Sequence, residues 1–151
     1  MRGIEIGVFE GRSTLWFLDN VLQHESSSLT CIEPNCEESF FINTSGYLHK
    51  IQLLQKRSAI ALKDSSLTLS SFNFIYVDGD HSAPSVLEDA ILSFPLLARR
   101  GILIFDDYNW RSSTPEISQS MPKLAIDAFL DVYKGQYDLL YRGYQVAIRR
   151  L

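Results

Sequence analysis

The chain has 151 residues, 46% of them apolar, enough for one domain that buries roughly two-thirds of its unfolded surface. Eighteen acidic residues against fourteen basic ones give a formal charge of −4, and the arginines are scattered (Arg12, Arg57, Arg99, Arg142), which argues against nucleic acid as a partner and for a small molecule. No apolar run approaches the ~20 residues of a membrane span, no signal-peptide pattern opens the chain, and Cys31 and Cys36 lack CxxC spacing, so a cytoplasmic protein with reduced thiols and no membrane contact is expected.

Ile4 to Gly7 predicts a short strand, Gly7 to Gly11 a glycine turn, and Leu15, Leu18, Val21 and Leu22 recur at the spacing of one helical face. Strand, glycine turn and helix open a nucleotide-binding βαβ unit. Leu29 to Ile32 reads as a second strand ending at Glu33-Pro34. This sets Glu33 about 20 residues past the glycine turn, where such folds hydrogen-bond ribose hydroxyls. A helix over Asn35 to Tyr47, a third strand over Lys50 to Leu54 and a short helix over Ser58 to Leu62 follow.

The stretch that organises the chain is Phe72-Asn73-Phe74-Ile75-Tyr76-Val77, an apolar run closed by Asp78-Gly79-Asp80-His81. It predicts a buried strand whose carboxyl end opens into a crevice. Next comes a helix started near Pro84, with Val86, Leu87, Ala90, Ile91 and Phe94 as its buried face. A fifth strand, Gly101 to Phe105, then ends in Asp106-Asp107-Tyr108. Asn109 to Met121 is long and polar for a connection, as a lid or specificity loop would be. Pro122 opens a last helix with Leu124, Ala128, Phe129 and Val132 on one face. Tyr137 to Tyr141 and Gln145 to Arg149 are separated by too few residues for a crossover and predict an antiparallel hairpin.

If the fourth and fifth strands are parallel neighbours, Asp78, Asp80, Asp106 and Asp107 converge at one rim. Four carboxylates in one crevice repel unless a cation neutralises them. In the glycine turn, Glu10 is awkward beside a pyrophosphate, whereas the amides near Arg12, Ser13 and Thr14 can bind a carboxylate. A ligand with a ribose, a carboxylate and a positive centre suits this set, and S-adenosylmethionine is such a ligand. The plainer alternatives are a strand-ending turn at Asp78-Gly79-Asp80, a helix cap at Ser13, a helix-start residue at His81 and a surface acid at Glu33.

Four motifs in order, Ile4-Glu5-Ile6-Gly7-Val8-Phe9-Glu10-Gly11-Arg12-Ser13, Ile32-Glu33-Pro34, Val77-Asp78-Gly79-Asp80-His81 and Phe105-Asp106-Asp107-Tyr108, resemble small class I O-methyltransferases of the catechol and macrocin kind. The resemblance implies a single Rossmann-like three-layer α/β domain over residues 1–151. Its mostly parallel seven-stranded sheet would end in an antiparallel last strand. It implies S-adenosylmethionine as cofactor, with Glu5, Gly7 and the Gly11 end of the turn at its methionine part. Ser13 would sit at its carboxylate, Glu33 at its ribose, Ser58 at its adenine, and Asp78 where cofactor and metal meet. Asp78, Asp106 and Asp107 match the family's magnesium ligands, and Asp80 and His81 are both candidates for the catalytic base. An imidazole, with a free pKa of ~6.5, suits base work near neutrality. The implied activity is metal-assisted O-methylation of a small-molecule hydroxyl. The family's helices ahead of the first strand have no counterpart here, so the domain is expected to lack that cap. Two other readings stand beside it. One is a nucleotide-sugar glycosyltransferase using Asp-x-Asp, and the other is a cofactor-binding relative without turnover. A homo-oligomer is compatible with each.

Overall fold

A computed structural model describes residues 1–110 and 121–151. Seven strands, β1 (Arg2–Ile6), β2 (Ser28–Ile32), β3 (Ile51–Leu54), β4 (Phe72–Val77), β5 (Leu97–Phe105), β6 (Tyr137–Arg142) and β7 (Val146–Arg150), form one sheet in the order β3-β2-β1-β4-β5-β7-β6. The first five pair in parallel, and β7 runs antiparallel to both of its neighbours. The expected architecture is therefore present, including the reversed last strand.

Strand period sorts the core onto two faces. Ile4, Ile6, Ile32, Ile75, Val77, Leu103 and Phe105 point to one side, where α3 (Ser58–Ala61), α4 (Ala83–Ser93) and α5 (Pro122–Val132) cover them. Leu29, Cys31, Phe74 and Tyr76 point to the other, beneath α1 (Arg12–Asn20) and α2 (Glu38–Asn43). Because β1 and β4 lie between helices on both faces, nearly every position in them is buried, which is why Phe72 to Val77 reads as an apolar run, whereas in β1 the buried set includes the acid Glu5.

Several helical faces differ from expectation. In α5 the buried stripe is Pro122, Ala125, Ile126, Phe129 and Leu130, whereas Leu124 is 60% and Val132 77% exposed and Ala128 also faces solvent. Of the expected face Phe129 alone turns inward, and the buried positions recur at three and four around it. In α4 the acid Asp89 is buried and Ile91 is exposed. In α1, Thr14 and Phe17 are buried with Leu18, and Leu15 is only half-buried. The helix expected over Asn35 to Tyr47 divides at Thr44 into α2 and a 3-10 turn, Ser45–Lys50, so Lys50 ends that turn rather than opening β3. Its buried ammonium donates to the carbonyls of Leu22, Gln23 and His24 at 2.9, 3.1 and 3.1 Å. It gathers three successive carbonyls of the segment that follows α1. Strand β5 starts at Leu97, four residues before the expected Gly101.

Candidate active site

Parallel strands release their chains at the same edge of the sheet, so the segments after β1, β2, β3, β4 and β5 meet there. Between them lies a cleft of about 1240 Å³. That exceeds the ~300–1000 Å³ of an ordinary small-ligand pocket and can hold two molecules side by side.

The glycine turn forms one wall. Gly7 has φ +82, and a β-carbon on it would lie 2.1 Å from the carbonyl oxygen of Asp78, so only glycine lets β1 approach the end of β4 this closely. Gly11, at φ +86, precedes α1 and is buried beneath the turn rather than facing the cleft. Gly7 and Ser13 line the cleft. Glu5 sits behind them and is fully buried. Thr14 donates to its Oε2 at 2.6 Å, and its Oε1 has no partner among the described residues. Burial, countered by hydroxyls of Ser13 and Thr14 and reinforced by the Asp78 carboxylate, pushes the Glu5 carboxyl up to about 7.

Glu33 stands at the end of β2 in the cleft wall, its oxygens accepting from the amides of Val8 at 3.4 Å and Asn35 at 3.1 Å. Ser58, the first residue of α3, also lines the cleft, with Arg57 and Ala59.

The acid rim forms as the sequence suggests, with a different division of labour. Asp78 lies in the cleft, its carboxyl raised to about 7 by burial and then by the carboxylates of Asp106 and Asp107. Asp106 accepts a short hydrogen bond from Tyr76 and one from the Asp107 amide at 2.7 Å. Asp107, held at φ 54, receives His81 Nε2 at 2.6 Å on one oxygen and the Tyr144 hydroxyl at 2.7 Å on the other. Atoms of Asp78, His81 and Asp107 lie within 4.8 Å of one another, so His81 stands in the group where Asp106 was expected. Asp80, the other candidate base, spends its carboxylate on the start of α4, accepting from the Ser82 amide at 2.7 Å and the Ser85 hydroxyl at 3.2 Å. These bonds lower its pKa. Trp110 packs on His81 with ring centres 4.8 Å apart. Beyond the rim, Tyr108 donates to Asp127 at 2.9 Å and accepts from Lys123 at 2.9 Å and from Arg142, tying the end of β5 to α5 and β6.

Tyr76, Trp110, Tyr144 and Asp89 belong to this site and were not singled out as site residues in the sequence. Tyr76 read as strand filler, and Tyr144 reaches Asp107 only because the hairpin folds back across 37 residues. The expected lid or specificity loop over Asn109 to Met121 falls largely on residues 111–120, outside the described residues.

The methyltransferase domain family matches residues 4–108. The chain belongs to that family. An uncharacterized protein of Acanthamoeba polyphaga mimivirus is 25% identical over 89% of this chain, and the chain spans 62% of that protein's length. Among solved structures, the Podospora anserina methyltransferase PaMTH1 in its S-adenosylhomocysteine-bound form superposes with a TM-score of 0.74. It is 19% identical and covers 99% of this chain and 71% of its own. The MycE methyltransferase of the mycinamycin biosynthetic pathway, in complex with magnesium and S-adenosylhomocysteine, gives 0.72 at 15% identity, over 99% of this chain and 44% of its own. At these identities the structural likeness establishes the fold of the methyltransferase domain.

Proposed function

We propose that this methyltransferase-domain protein moves the methyl group of S-adenosylmethionine to a hydroxyl oxygen of a small molecule, with a divalent cation at the acid rim. The observation that carries the reading is that the Asp78, His81 and Asp107 group opens beside the cleft whose other walls are the Gly7 turn and Glu33. The cofactor's positive sulfur centre and its hydroxyls and carboxylate have matching partners there. Glu33 would accept from the ribose, amides at the start of α1 near Ser13 would receive the carboxylate, and the acid rim would face the sulfonium.

The residues present also fit a hard cation. Asp78 and Asp107 offer carboxylate oxygens, and Asp106 adds negative charge beside them; burial first and then these neighbouring acids raise the Asp78 carboxyl. Magnesium held there would lower the pKa of a coordinated hydroxyl and fix it against the methyl donor. His81 takes the hydroxyl proton. With Nε2–H donated to Asp107, the lone pair that receives the proton is on Nδ1, and Asp107 stabilises the imidazolium that results. Asp80 is engaged with the Ser82 amide and the Ser85 hydroxyl where the chain enters α4, which weakens the glycosyltransferase reading of Asp-x-Asp. The rest of the enzyme's contribution is positioning, which for two well-aligned reactants can supply ~7–11 kcal/mol of the barrier.

Calorimetric titration with S-adenosylhomocysteine, with and without Mg²⁺, tests the reading. Binding that Glu33→Ala weakens is the expected result. Absence of heat at high ligand concentration removes the cofactor, and binding that Mg²⁺ never alters argues against the cation.

A further inference from the structure

Most carboxylates lining the cleft have an evident occupation. Glu33 holds two backbone amides, Asp106 receives Tyr76, Asp80 accepts from the Ser82 amide and the Ser85 hydroxyl, and Glu88 is exposed and paired with Lys63. Asp89 does not fit this pattern. It lies on the inward face of α4, only 2% exposed, where an amphipathic helix ordinarily carries an apolar side chain, yet it lines the cleft. Among the described residues no cation pairs with it, and the charges that act on it, Glu88 and Asp80, are both negative. Its side-chain partner is the Ser58 hydroxyl, and its Oδ2 lies 3.9 Å from where a β-carbon on Gly79 would begin. A buried carboxylate so poorly compensated is costly, and burial raises its pKa to about 6. A ligand that brings a hydrogen-bond donor to this wall recovers that cost.

The position of the wall identifies the donor. Glu33 marks the ribose, and the Asp78, His81 and Asp107 group marks the reacting end. The remaining part of the cleft, with Ser58, Ala59, Gly79 and Asp89, is left for the base. We propose that Asp89 selects the base of the bound nucleoside, its carboxylate accepting a hydrogen bond from the 6-amino group of adenine. A purine with an oxygen at that position presents an acceptor to an acceptor and is rejected. The assignment rests on the S-adenosylmethionine reading and adds a discriminating residue to it.

The test compares S-adenosylhomocysteine with its 6-oxo analogue, S-inosylhomocysteine, by calorimetry on the wild-type chain and on Asp89→Asn. The wild type is expected to prefer the amino ligand by at least ~tenfold, the usual consequence of leaving a buried polar group unpaired. Asp89→Asn, whose amide can donate to the 6-oxygen, is expected to lose or invert that preference. A purely structural role would weaken both ligands together and leave their ratio unchanged, which overturns the proposal, as does equal affinity in the wild type. If Asp89→Asn does not fold, Ser58→Ala substitutes for it, since releasing the carboxylate from its tether should lower the ratio; an unaltered ratio counts against Asp89. Wild-type binding of neither ligand removes the cofactor reading itself, whereas equal binding of both removes only the role of Asp89.

Discussion

His81 Nε2 and Asp107 Oδ2 lie 2.6 Å apart, a bond that joins the segment after β4 to the segment after β5. It makes His81 either a base oriented by a carboxylate or a metal ligand, and the two roles separate experimentally. We expect Asp78→Asn and Asp107→Asn each to weaken Mn²⁺ binding by ~10–100-fold, a loss typical even of residues behind the ligands. His81→Gln should leave Mn²⁺ affinity nearly unchanged. Electron paramagnetic resonance titration of free Mn²⁺ reads all three, and a loss in His81→Gln equal to the others would make His81 a ligand instead of the base.

Gly7 and Gly135 share nearly the same backbone, φ +82 and +87, but differ in surroundings. A methyl group on Gly7 would meet the Asp78 carbonyl at 2.1 Å, and on Gly135 it would meet nothing within 4 Å. Gly135→Ala should therefore cost only the left-handed backbone penalty of about 1–2 kcal/mol. Gly7→Ala should cost clearly more and also weaken S-adenosylhomocysteine binding, because β1 and the end of β4 must part. Urea denaturation of the pair measures the difference; equal costs would mean that the close approach at Gly7 contributes nothing.

Lys50 places an ammonium on three carbonyls just beyond α1. Lys50→Met keeps the apolar stem and removes the donors, so it should lower stability by about 2 kcal/mol, the scale of hydrogen bonds to a charged group. Lys63→Met, at a 3.7 Å pair whose members are 60% and 50% exposed, should change stability little. Thermal unfolding of the two variants checks this contrast.

Strand ends carried most of what the sequence could reveal. Alternating apolar residues ahead of Gly7 located β1, apolar segments closed by acid located β2, β4 and β5, and parallel order then made Gly7, Glu33, Asp78 and Asp106 neighbours without further information. Contacts made by folding distant segments together were not legible. Tyr144 on Asp107, Lys50 on the end of α1 and Asp89 beside Ser58 each depend on the docking of one element against another, and their own neighbours in sequence carry no trace of it. The inward face of α5 was lost for a related reason. Leu124, Ala128 and Val132 make an acceptable stripe with Phe129 in isolation, and only docking against α4 and the sheet turns Ala125, Ile126 and Leu130 inward beside Phe129 in their place.

The buried carboxyl of Glu5 supplies a pH dependence whose sign follows from its environment. Its pKa rises from an ordinary 4.5 in the unfolded chain to about 7 in the fold, chiefly by burial. Below the lower value both states are protonated and Glu5 costs nothing. Between the two values unfolding releases a proton, so stability falls as pH rises, and above about 7 the whole penalty is in place. Converted directly, the shift is on the order of 3 kcal/mol. Asp78 and Asp89 are raised to about 7 and about 6 and titrate with the same sign, so the wild-type slope alone cannot isolate Glu5. Glu5→Gln does, because it leaves both aspartates in place and removes one titration together with its coupling to Asp78, the smallest of the causes acting on Glu5. The stability of Glu5→Gln relative to wild type should climb across this range by up to that amount, whatever its offset at low pH. Urea denaturation at intervals of pH measures the climb, and a flat difference would mean that Glu5 keeps its charge in the folded protein, stabilised by a group other than Ser13 and Thr14.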